Sequence, residues 1–164
     1  MSKYLNRLLL IALIMPAACL RILAAHDKVD ITLPTTVTFT VYNVISSTTG
    51  VPTPTPISYT YGNLHANMQL RISVMANAAA CTPPGGGPTI PAGSFSWTAA
   101  NTTGGIGYSG TLAYNAYTIV YQSIPWTGSA LSGSVNLSWK LAPPPTGAYA
   151  GTYTISLTWK VESV

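Results

Sequence analysis

The sequence predicts an all-β fold, an antiparallel β-sandwich of about seven to eight strands, and three observations predict it. Apolar and polar residues alternate with period two in nearly every segment after residue 26. Clusters of Pro and Gly separate those segments, and no amphipathic helical stretch lies among them. Charged residues make up only 6% of the chain while hydrophobic ones reach 48%, so the wet surface must be built from Thr, Ser, Asn and Gly.

Residues 1–25 read as a signal peptide ahead of a single domain at 26–164. Lys3 and Arg7 precede the unbroken apolar run LLLIALIM, and small residues follow, with cleavage expected after Ala25. The run is shorter than the ~20 residues a membrane-spanning helix needs, and Arg21 interrupts its extension. Pro16-Ala17-Ala18-Cys19 loosely resembles a lipoprotein acylation site, so a lipid at Cys19 is the alternative route to a membrane. Lys3, Arg7 and Arg21 also carry much of the formal +4 charge. Beyond them Lys28, Arg71, Lys140 and Lys160 stand against Asp27, Asp30 and Glu162, four against three. With no basic patch, nucleic acid is not an expected partner.

The first strand region keeps one phase for thirteen residues, with Val29, Ile31, Leu33, Val37, Phe39 and Val41 on one face. A common strand has ~5–6 residues, and Pro34 cannot donate to a ladder, so it divides two strands or marks an edge. The part at 26–34 is a candidate exchangeable strand, pairing in its own domain or with a neighbouring subunit. Alternation recurs in Ile57, Tyr59 and Tyr61, then in Met68, Leu70, Ile72 and Val74, and in Phe95 and Trp97. Further on come Tyr117, Ile119 and Tyr121, then Val135, Leu137, Trp139 and Leu141. The last strand sets Tyr153, Ile155, Leu157, Trp159 and Val161 toward the core. VNLSWKL at 135–141 and ISLTWKV at 155–161 are near copies, two strands under the same demand. Their spacing leaves open whether they are sheet neighbours.

Catalytic chemistry has little to work with. The chain after residue 25 holds only His26, His65, Asp27, Asp30 and Glu162 as general acid or base candidates, three of them crowded at its start. His65 has no acid nearby in sequence, and no clustered His, Cys or carboxylates suit zinc or calcium. Gly85-Gly86-Gly87 lacks the Lys and strand-to-helix setting of a phosphate loop and reads as a turn. Once the leader is removed Cys81 is alone, so no internal disulfide is expected, and nothing beside it activates the thiol. The sequons at Asn101 and Asn136 matter only in a host that glycosylates. The expectation is a non-enzyme with no cofactor and no metal.

An alternating N-terminal segment with Val29, Ile31 and Leu33, and a final strand entered through Ala150-Gly151-Thr152-Tyr153 and continued by Ile155, Leu157 and Trp159, resembles the pilin subunits of chaperone-usher fimbriae. The resemblance covers both ends of the chain and rests on alternation, a pattern common to β proteins. It implies an immunoglobulin-like sandwich whose missing strand a neighbour supplies by β-augmentation. It also implies like subunits or a periplasmic chaperone as partners, and a cell-surface or extracellular location. Many such pilins carry an internal disulfide, which this chain lacks, and its extension is short. A carbohydrate-binding module is the competing reading, with Trp126 and Tyr108 in turns as sugar-stacking candidates. A passive envelope or coat component is the third.

Overall fold

A computed structural model of the chain describes residues 28–63, 67–83, 85, 87–128 and 131–164. The expected leader with Cys19, and His26, Asp27 and His65, lie outside the described residues. The strands are β1 (Lys28–Ile31), β2 (Thr36–Val41), β3 (Thr48–Thr49), β4 (Thr55–Asn63), β5 (Leu70–Ala76), β6 (Ala80–Cys81) and β7 (Ile90–Pro91). They continue with β8 (Phe95–Thr103), β9 (Gly105–Gly107), β10 (Gly110–Thr111), β11 (Thr118–Ser123), β12 (Leu131–Leu141) and β13 (Gly151–Ser163). Eight of these have four or more residues, matching the number of alternating segments, and the other five are two- or three-residue pieces. Among the described residues the helical assignments are all 3-10, a turn at Ala92–Ser94 and the single residue Gly85.

Two antiparallel sheets carry the fold. One runs β1-β4-β12-β8-β10, with β3 beside β12 beyond the end of β4, and the other runs β2-β13-β5-β11-β9. Their inner faces meet in one apolar core, as the alternation requires, with Phe39 of β2 against Phe95 of β8 at 5.3 Å between ring centres. Trp139 on the central strand β12 is buried beside its cross-strand partner Trp97 and donates its indole N–H to Thr55 Oγ1 at 3.1 Å. The all-β, sandwich-like class read from alternation is therefore present.

One polar cluster sits inside this core. Tyr59 of β4 and Tyr121 of β11 bring their hydroxyls to 2.6 Å across the sheets, and Tyr121 donates on to Thr103 O at 2.8 Å. Tyr61 reaches Ser123 Oγ at 3.3 Å, and that oxygen accepts the Leu70 N–H at 2.8 Å. Glycine makes the room. A Cβ at Gly133 would press on Tyr59 Oη and lie 2.6 Å from both Thr103 O and Tyr121 Oη. Burial pushes the phenols of Tyr59, Tyr61 and Tyr121 above their ordinary range, and for Tyr59 the hydrogen bond to Tyr121 adds to it.

Three expectations need correction, and one question that the spacing left open is answered. The phase Tyr117, Ile119, Tyr121 breaks at an irregularity between Ile119 and Tyr121 in the pairing with β5. The extra residue lets Val120 and Tyr121 both be buried and leaves Tyr117 exposed, the effect of a β-bulge on a period-two pattern. Met68 precedes β5 and is only half-buried. The near copies fall in different sheets, β12 in the first and β13 in the second. Their Trp residues differ accordingly, with Trp139 at 1% exposure in the sheet centre and Trp159 half-buried at the rim, so Trp159 and Val161 border the core instead of filling it.

Candidate functional site

The thirteen-residue run at 29–41 is split between the sheets. β1 pairs with β4, with Asp30 opposite Thr60 and Ile31 opposite Tyr59, whereas β2 pairs with β13, with Val41 opposite Gly151 and Val37 opposite Ile155. The chain crosses at residues 32–35, so Pro34 sits between strands as its missing N–H demands. Trp159 Nε1 donates to Pro34 O at 2.5 Å at this crossing.

Among the described residues, the crossing leaves half of β13 without a neighbouring strand on one edge. In an extended strand the N–H and C=O of one residue point to the same edge, and successive residues alternate. Leu157 N–H donates to Thr35 O at 2.8 Å, so odd residues of β13 face β2. Asn77 N–H donates to Ser156 O, and Gln69 and Val164 exchange both backbone bonds, so even residues face β5. Past Leu157, β2 has ended, and the backbone groups of Trp159, Val161 and Ser163 point into a lane that no described strand occupies. β1 is itself the outermost of the described strands in the other sheet. At this seam, where the crossing meets β13 through the Pro34–Trp159 bond, Trp159 and Val161 are half-buried against the core, as are Val29 and Leu33 on the crossing chain. The outer edge of β2 is covered at one point, where Val51 exchanges both backbone bonds with Thr38.

The strand-exchange residues Val29 and Ile31 pair with β4 and Leu33 follows on the crossing toward this seam, Ile31 buried and Val29 and Leu33 half-buried. Tyr153, Ile155 and Leu157 are in the core. The sugar-stacking pair is not brought together. Tyr108 donates its backbone N–H to Val120 O near the start of β11, while Trp126 exchanges backbone bonds with Met68 and Asn67 past its end. Six residues separate Val120 from Trp126, roughly 20 Å of extended chain. Trp126 is half-buried against the core and Tyr108 is 38% exposed, so they make no shared platform.

The ionisable groups are scattered. Glu162 lies 2.6 Å from Lys160 and 3.9 Å from Arg71 on the outer face, a surface arrangement of small energetic weight. Asp30 is exposed on β1. Among the described residues no three His, Cys, Asp or Glu gather as a metal site would need. Cys81 is buried with Sγ 3.3 Å from Thr154 O, and burial pushes its thiol up, away from reactivity. Among the described residues no helix is long and apolar enough to cross a membrane.

The seam was half legible. Alternation and Pro34 mark the exchangeable strand, but the vacancy beside Trp159 depends on where the chain crosses, which local patterning does not encode. Architecture and seam define an all-β protein built on two main sheets and a small β6–β7 hairpin, with a strand edge that no described strand covers. No family model matches the chain, and comparisons with curated proteins and with solved structures return no match.

Proposed function

We propose that this chain is a secreted structural protein with an immunoglobulin-like sandwich, a subunit of a fimbria or similar surface polymer that assembles by β-strand addition. The observation that carries the reading is the open lane along Trp159, Val161 and Ser163 of β13. Unpaired strand edges are templates for another strand, and proteins that stay monomeric usually cover or charge them. This edge carries Lys160 and Glu162 on its outer face but half-buried Trp159 and Val161 on its inner one, which an added strand would cover. Backbone bonds would give an incoming strand its affinity, and the apolar lining would select alternating aliphatic residues. A sparse supply of acids and bases fits a structural role.

The test is an unheated denaturing gel with solution mass for the exported protein, for a form lacking residues 26–33, and for Val161→Pro. That proline removes an N–H pointing into the lane and leaves untouched the bonds to β5, which even residues make. A ladder of the parent that is lost in both variants supports the reading. A parent that is monomeric on the gel and in solution at every concentration overturns it.

A further inference from the structure

The open lane has an in-register occupant in the chain itself. Pairing of β2 with β13 runs Val41 to Gly151, Phe39 to Tyr153 and Val37 to Ile155. Extending the same register would set Leu33 opposite Trp159, Ile31 opposite Val161 and Val29 opposite Ser163. Residues 29–41 would then match the whole thirteen-residue length of β13. We infer that β1 is a two-lane strand: on β4, as here, it leaves the β13 edge open for addition, and as a straight continuation of β2 it closes that edge and caps the subunit.

Three features make the second lane accessible. Odd residues of β2 exchange bonds with β13, as Thr35 O does with Leu157, so Pro34 would turn its missing donor away from β13 and cost the ladder nothing. Val29, Ile31 and Leu33 would continue the inward phase of Val37, Phe39 and Val41, so the same side chains face the core in either lane. The ladder to be given up is also short, since β1 pairs with β4 over only four residues and is already irregular between Lys28 and Val29. One contact favours the present lane. Asp30 stands opposite Thr60 on β4, but on β13 it would stand directly opposite Glu162, a like-charge pair that Lys160 beside Glu162 only partly offsets.

For its purpose this switch rests on the strand-addition reading; for its geometry it does not. Disulfide trapping in the full chain, with Cys19 and Cys81 replaced by Ser, separates the two. Asp30→Cys with Thr60→Cys reports the lane on β4. Asp30→Cys with Glu162→Cys reports the lane on β13, and Thr32→Cys with Lys160→Cys tests that lane at a second place. Asp30 now lies on the sheet facing β13, at a usual spacing of ~10 Å, beyond the ~7 Å limit for bridging Cα atoms, so closure requires the strand to change lanes. The expected result is loss of both thiols in a monomer-sized band for all three pairs, with the oxidised Asp30–Glu162 pair no longer forming a ladder. If the Thr60 pair closes while both β13 pairs keep their thiols, the switch is overturned. Cross-links between chains only, at the β13 pairs, also overturn it while leaving strand addition standing. A chain that closes on β13 but never forms a ladder upholds the switch and removes the polymer.

Discussion

Gly133→Ala tests whether the buried tyrosine cluster locks the two sheets together. The added methyl would press on Tyr59 Oη and sit 2.6 Å from Thr103 O and from Tyr121 Oη, against ordinary contacts of 3.4 Å or more. Thr103 O is backbone and both phenols are held in a hydrogen-bonded chain, so none of the three yields cheaply. Crowding of this kind costs ~1–3 kcal/mol. Displacing Tyr59 from Tyr121 strands a buried hydroxyl, a further ~1–3 kcal/mol. Replacing a strand glycine returns ~0.5–1 kcal/mol. The net expectation is a destabilisation of about 3 kcal/mol, a large part of a typical domain's stability of ~5–15 kcal/mol. Urea unfolding of the two variants measures it against Gly93→Ala, where a Cβ meets nothing within 4 Å. Tyr59→Phe in the Gly133→Ala background removes the atom nearest the new methyl, so the pair should couple by ~1 kcal/mol or more in the direction of rescue. A Gly133→Ala protein within ~0.5 kcal/mol of the parent refutes the reasoning.

Thr55→Val keeps the shape of a 2%-exposed side chain but takes away the acceptor of the Trp139 indole N–H, and chemical unfolding should show a loss of ~1–3 kcal/mol. Alkaline stability should be set by Tyr59, Tyr61 and Tyr121, whose folded ionisation is raised by burial. The unfolded chain loses these protons first, near pH ~10, so the stability they hold is full below that pH and falls above it, by up to ~1.4 kcal/mol per pH unit for each. In an ultraviolet titration these three phenols should ionise only with unfolding; their early ionisation in a still folded protein would contradict this.

The alternating faces were readable because side-chain direction in a strand is a property of the local backbone. Val37, Phe39 and Val41 on β2, Val135, Leu137 and Trp139 on β12, and Tyr153, Ile155 and Leu157 on β13 all point inward as their spacing requires. The break at Pro34 was readable for the same reason, since a residue without an N–H constrains its own ladder wherever it falls. The bulge at Ile119 and Tyr121 was not, because it arises from the fit of β11 to two different neighbours, β5 and β9.

By itself, then, the sequence determined the all-β class, the inward faces, the strand break near Pro34 and the scarcity of catalytic groups. Only the tertiary structure decided which strand lies beside which. Backbone N–H and C=O groups are alike at every residue, so near-identical segments such as 135–141 and 155–161 can join different sheets, with Trp139 central and Trp159 at a rim. The choice of neighbour is made by where the chain crosses and what space remains. That is why the open edge at Trp159, Val161 and Ser163, the feature on which the functional proposal stands, becomes visible only once β1 is seen to pair with β4 while β2 pairs with β13.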